Sequence, residues 1–239
     1  MYGNSSYVGY DADAIKAMFT GLGEAYEQLI DAVGGELQNQ VINPIGEFWY
    51  SKEAQETGEA VTSVVNGQFT DAIRDTYDGI IGYLDGVAIN WADLTHNAHV
   101  TNTYGNATRR FDTRHDSIKE MLDNTFVGIN EDKSLQYTQN LPAVKASIVE
   151  KIADTYSKIR NLTPFVGAGQ EEALQKLFNK LNDTVNDMFS FIIDGSGNFK
   201  SDDVKFQGMK KAMEDWTNEY KERARRAAQA IGGDGTASA

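Results

Sequence analysis

Apolar residues recur at intervals of three or four along almost the whole chain, and that spacing admits few folds. From Asp11 the run is Ile15, Met18, Phe19, Leu22, Tyr26, Leu29, Ile30, Val33, Leu37 and Val41. At 3.6 residues per turn these fall on one face of a helix. Asp11 is a suitable N-cap. Asn43-Pro44 is the stop, because proline lacks an N–H and pushes its predecessor out of the α region. The spacing predicts a helix of roughly 30 residues, about 45 Å long.

A second run begins after Ser51, itself a good N-cap: Val61, Val64, Val65, Phe69, Ile73, Tyr77, Ile80, Ile81, Leu84, Val87, Ala88, Trp91 and Leu94. Phe111, His115, Ile118, Leu122 and Phe126 predict a third helix, and the polar stretch Asn130–Asn140 reads as a break. Beyond Pro142 the stripe resumes with Val144, Ile148, Ile152, Tyr156 and Ile159, closed by Pro164. Leu174, Leu177, Phe178, Leu181, Val185, Met188, Phe189 and Ile192 form another helix, which ends in the turn cluster Asp194–Asn198. Met209, Met213, Trp216 and Tyr220 mark the last one, which ends near Ile231-Gly232-Gly233.

All three prolines are expected at helix boundaries, and nothing alternates with period two for long enough to argue a sheet. The fold class is all-α: an elongated antiparallel bundle of long amphipathic helices. Gly21, Gly23, Gly34, Gly35, Gly58, Gly67, Gly79, Gly82 and Gly86 fall inside predicted helices, each at a cost of about 1 kcal/mol relative to alanine. Kinks, or close approach of neighbouring backbones as at Gly82-x-x-x-Gly86, would account for them.

Composition then narrows function. The 239 residues contain no cysteine, which excludes disulfides, thiolate zinc sites and cysteine nucleophiles. A net charge of −13 repels phosphate backbones and anionic lipid, so neither nucleic acid nor charge-driven membrane binding is expected. The start of the chain has neither a basic n-region nor an apolar h-region, and no run approaches the roughly 18 apolar residues of a spanning helix. The expectation is a soluble protein outside the ordinary secretory route, without stable membrane insertion.

Two turns share a form. Asn43-Pro44-Ile45-Gly46-Glu47-Phe48-Trp49-Tyr50-Ser51 and Asn161-Leu162-Thr163-Pro164-Phe165-Val166-Gly167 each join two amphipathic stripes. In each, an aromatic stands two residues before a small residue, just ahead of the next helix. The aromatic can fold over the apolar seam while the small residue permits a tight reversal. In this the chain resembles the WXG family, the small helical-hairpin proteins exported by type VII secretion systems, whose mark is a Trp-x-Gly turn between two helices. It looks like two such hairpins in tandem, residues 1–106 and 107–239, the second with extra helices and packed on the first as one unit. It departs from the family mark with Ser51 in place of Gly and Phe165 in place of Trp. The family's C-terminal Tyr-x-x-x-Asp/Glu signal is missing where expected, since Ala224 follows Tyr220 at that spacing. The resemblance implies interaction turns at Trp49, Ser51, Phe165 and Gly167. It also implies a protein partner, either another small helical hairpin or the secretion machinery, and export from the cytoplasm to the outside or the cell surface without a classical signal peptide. Self-association is a further expectation.

No catalytic constellation or cofactor site is expected. Asp93, His96 and His99 drift around a helix end and read as its polar residues rather than metal ligands. His115 on the third stripe reads as a partly buried, hydrogen-bonded core histidine. The loop Asp194–Asp203 fails the EF-hand pattern: counting from Asp194, the sixth place holds Phe199 and the twelfth Lys205. The pairs Glu171-Glu172 and Asp202-Asp203 suit first turns of helices, and Lys221, Arg223, Arg225 and Arg226 suit the last turns of the final helix. The leading expectation is a non-enzymatic, secretion-associated protein that binds partners through apolar helix faces. A membrane-active protein built around Gly79–Trp91, or a filament subunit, are the alternatives.

Overall fold

The computed structural model describes residues 11–100, 102, 105–115, 127–162, 168–200 and 206–231. These are overwhelmingly helical. The elements in order are α1 (Ala12–Leu37), a π-helical turn π1 (Gln38–Ile42), α2 (Ile45–Phe48), β1 (Trp49–Tyr50) and α3 (Lys52–Val64). They continue with a second π segment π2 (Val65–Phe69), α4 (Thr70–Leu94), β2 (Gly128–Ile129), α5 (Glu131–Leu162), α6 (Ala168–Asp194) and α7 (Met209–Ala230). The all-α class is as the periodicity predicts.

The described chain falls into two compact units. One comprises Met1–Glu36, Asn66–Asp112 and Lys145–Asn186; the other comprises Leu37–Val65, Thr113–Val144 and Asp187–Ala239. Each takes segments from both sides of the boundary at 106/107.

The first unit is an antiparallel arrangement of α1, α4, α5 and α6. Along α1 and α5, Lys151 Nζ meets Glu36 at 3.1 Å, Lys158 Nζ donates to Gln28 Oε1 at 3.2 Å, and Gly21 lies against Leu162, so the two helices run in opposite directions. Tyr156 packs edge-on to Phe178 at 4.9 Å and Arg160 pairs with Glu171 at 2.9 Å, which sets α6 antiparallel to α5. Tyr26 of α1 meets Tyr77 of α4 at 4.6 Å. The predicted stripe residues Ile15, Met18, Phe19, Leu22, Ile73, Ile80, Leu84, Ile148, Phe178 and Val185 are all buried, which is the main source of helix stability in a bundle.

An extended segment lies on α1 and α4. Residues 107–115 contain no helix, so the expected helical stripe through Phe111 and His115 is corrected; its remainder, Ile118 to Phe126, lies outside the described residues. Helices consume their own backbone donors and acceptors, so a strand laid across them must be satisfied by side chains. Here the Ala107 N–H donates to Asp78 Oδ1 at 2.7 Å, and its carbonyl accepts from Arg74 Nε at 2.8 Å. Tyr26 Oη donates to the Arg109 carbonyl at 2.6 Å, and the Phe111 N–H donates to Thr70 Oγ1 at 3.4 Å. The Phe111 ring stacks on Phe69 at 5.5 Å and fills the space beside Gly34, where a Cβ would stand 3.1 Å from it.

The second unit holds π1, α2, β1, α3, the first half of α5, the end of α6, and α7. Trp49 and Tyr50 pair antiparallel with Ile129 and Gly128, a minimal ladder that alternation in the sequence could not reveal. The buried Tyr137 packs on Phe48 at 5.2 Å and donates its hydroxyl to the Val41 carbonyl at 2.9 Å; burial pushes its phenol well above the usual range.

Two further expectations are corrected. Asn130–Asn140 is not a break: Asn130 caps α5 by accepting from the Lys133 N–H at 3.0 Å, and the helix runs on through Pro142. Tyr137 and Leu141 continue the buried stripe of Val144, Ile148 and Ile152, so tertiary burial overrides the helix-breaking residue, whose own position is exposed. Pro44 does stand at a helix boundary, ahead of α2, although Asn43 before it keeps helical angles (φ −56°, ψ −43°) and is not pushed out of the α region; Pro164 lies outside the described residues. Gly82 and Gly86 face open space, which removes close backbone approach as their explanation.

Candidate functional site

The first of the two predicted turns is built from α2, β1 and the start of α3. Ser51 is extended (φ −160°) and its Oγ accepts from the Ala54 N–H at 3.1 Å, the expected N-cap. Trp49 and Ser51 are both buried. The Trp49 indole lies edge-on to Trp216 of α7 at 6.2 Å, and its Nε1 has no hydrogen-bond partner. Trp49 thus anchors the second unit, and the surface above it belongs to α7. Phe165 and Gly167 of the second predicted turn lie outside the described residues.

On α7 only Met209 and Met213 are buried. From there Trp216, Tyr220, Ala224, Ala227 and Ile231 follow at steps of four, four, three and four, which puts them along one face. Trp216 and Tyr220 stack at 5.1 Å, and the Trp216 Nε1 donates to Glu53 of α3 at 3.1 Å. Tyr220 is 45% exposed, and Val127 nearby is 50% exposed. Together with Glu53, Arg223, Ala224 and Ala227 these side chains line an open cleft of about 370 Å³. A second open depression, lined by Glu131, Leu135, Met213 and Lys221 among others, lies on the other flank of α7, where Lys221 pairs with Glu131 at 2.6 Å.

The charged residues of distal α7 pair along the helix. Arg223 meets Glu219 at 2.5 Å, and Glu222 accepts from both Arg225 and Arg226 at 2.8 Å. The hydrogen bonds from Arg225 and Arg226, with their charges, lower the Glu222 carboxyl to about 2. Within the basic run, Arg223, Arg225 and Arg226 thus form exposed i,i+3 and i,i+4 pairs flanking an apolar face, while Lys221 reaches across to α5.

The other polar groups singled out in the sequence sit elsewhere. α4 closes with His96 in the left-handed region (φ 55°), the Asn97 N–H bonded to the Ala92 carbonyl at 2.9 Å and the His96 N–H to that of Asp93 at 3.2 Å. That is a Schellman closure, and it accounts for His96 without a ligand. His99 Nε2 approaches Asp93 at 2.7 Å. His115 lies on the extended segment, its Nε2 3.3 Å from Glu59, within ion-pair distance but without hydrogen-bond geometry. In the Asp194 loop, Asp194 accepts from the Ser196 N–H at 2.9 Å and hydroxyl at 2.5 Å, bonds that hold its carboxyl below the usual range. Asp187 accepts from the Asn198 N–H at 3.0 Å. No group of three or more His, Asp or Glu among the described residues is placed to hold a metal ion.

The α7 face was only half legible in the sequence. Met209, Met213, Trp216 and Tyr220 share one apolar stripe in the sequence, but apolar spacing does not say which part of it another element covers. No family model matches the chain, and neither a curated protein nor a solved structure is similar to it.

Proposed function

We propose that the protein works by binding another protein through a helix face rather than by catalysing a reaction. The observation that supports this is the Trp216–Tyr220–Ala224–Ala227 face of α7, with the cleft beside it. Stacked aromatics supply a large apolar area at low entropic cost, and the alanines beyond them let a partner backbone come close. An amphipathic helix with apolar anchors at i, i+3, i+4 and i+7 fits such a face.

The finer reading is that of a secretion-associated adaptor or substrate of the WXG kind, carried from the cytoplasm with a small helical-hairpin partner. It rests on the turn at Trp49–Ser51 and on the all-α build. No helix of the described residues is long and apolar enough to cross a membrane, and Ile80, Ile81 and Leu84 of Gly79–Trp91 are spent in the core of the first unit.

The test is co-expression with the products of the neighbouring genes, followed by purification and by fractionation of cells against medium. The expected result is a stoichiometric complex, with export that requires it. Ala224→Arg should weaken that complex at least tenfold while leaving the thermal midpoint of the free chain in place. Equal affinity of the Ala224→Arg chain would remove the α7 face from the interaction, and a chain that stays in the cell with no partner would remove the secretion reading.

A further inference from the structure

The segment on α1 and α4 has the character of a bound peptide. Of residues 107–111 only Ala107 and Phe111 are buried; Thr108, Arg109 and Arg110 are exposed. The named hydrogen bonds to its backbone, at Ala107, Arg109 and Phe111, come from helix side chains, at alternate residues of the segment. The register is matched. From Ala107 to Phe111 an extended chain rises about 13 Å. From Asp78 to Thr70, which hold those two residues, α4 rises about 12 Å. The exposed arginines meet carboxylates along the way: Arg109 pairs with Asp31 of α1, and Arg110 meets Asp71 of α4 at 2.7 Å. Arg110 also donates to the Asn66 carbonyl at 3.2 Å.

We propose that this groove is a peptide-recognition site and that residues 107–111 are its internal occupant. Its specificity is written in the contacts. A small residue fits where Ala107 is fully enclosed, an arginine two positions on reaches Asp31, and an aromatic four positions on stacks against Phe69 beside Gly34. The external ligand is an extended segment of a protein partner with that spacing, which displaces the internal one. Displacement gives up two buried anchors, the hydrogen bonds at Ala107, Arg109, Arg110 and Phe111, which an incoming chain can remake, and exposed ion pairs; that is far less than global unfolding, and exposed pairs weaken with salt. The inference does not depend on the α7 face, and its probe does not touch that face, so either reading can fail alone.

The experiment uses a labelled synthetic peptide of residues 106–113, titrated into the full chain and into full-length Phe111→Ala, with binding read by fluorescence anisotropy. Phe111→Ala weakens the internal occupant, so it should bind the peptide at least tenfold more tightly than the unsubstituted chain. A peptide carrying the same Phe111→Ala change should bind that variant at least tenfold more weakly. A Phe111→Ala chain with parental helicity and no saturable binding overturns the proposal. A second measurement uses the unsubstituted chain in case the variant does not fold. The amides of Ala107 and Phe111 should exchange hydrogen at least tenfold faster than those of Ile80 and Ile81, with weaker urea dependence. Equal rates and equal urea dependence would mean that the segment leaves only on global unfolding, and would overturn the proposal.

Discussion

Single residues in this molecule owe their cost to what surrounds them. Trp49 lies wholly inside the second unit against Trp216, so Trp49→Ala should lower stability by about 3–5 kcal/mol through the cavity it leaves. Urea denaturation would show this as a shifted midpoint with an unchanged slope. Gly208 stands at φ 89°, ψ 154° ahead of α7, in a region that only glycine occupies readily, and a Cβ there would meet the Asp194 backbone at 2.4 Å. Gly208→Ala should therefore cost about 3 kcal/mol, again read by denaturation. Gly86, with nothing within 4 Å, behaves oppositely. Gly86→Ala should raise stability by about 1 kcal/mol, because it gains only helix propensity.

At the scale of elements, α5 is the case where packing defeats a local signal. Pro142 removes one intrahelical hydrogen bond and crowds the preceding turn, yet the stripe from Tyr137 to Ile159 stays buried on one side. Restoring the N–H by Pro142→Ala should raise the thermal midpoint, the equivalent of about 2 kcal/mol once the added freedom of the unfolded chain is set against it. A lower midpoint would mean that proline sets the course of α5. In α7 the Glu222 carboxyl is held at about 2 by Arg225 and Arg226, so its folded value lies below the ordinary 4.5. The sign follows: its contribution is fully present above pH 4.5 and is lost as pH falls towards 2. Glu222→Gln should then reduce the loss of helicity across that window, and circular dichroism of the two chains against pH would check it.

For the molecule as a whole, protection follows burial. The core residues of α1, α4, α5 and α6 in the first unit are almost inaccessible, whereas α7 beyond Thr217 has no buried residue. Its hydrogen bonds rely on helix propensity and exposed ion pairs, each worth only a few tenths of a kcal/mol. The net charge of −13 works against compactness everywhere, and the described ion pairs offset it locally.

The sequence alone determined the helices, their apolar faces and several of their ends, because spacing at 3.6 residues, the Ser51 and Asp11 caps and the turn at Asp194 are local physics. It determined as well that no thiol chemistry is available. It misread residues 111–115 as helix, since Phe111, Arg114 and His115 carry no local mark of an extended chain. It misread Asn130–Pro142, since a proline's local cost says nothing of the burial that outweighs it. Only the tertiary structure decided that Trp49 is covered and Tyr220 is not, and that Asp78, Arg74, Tyr26 and Thr70 come together along one extended backbone. Those outcomes depend on which faces meet, and contacts between residues far apart in the chain leave no periodic trace in the sequence.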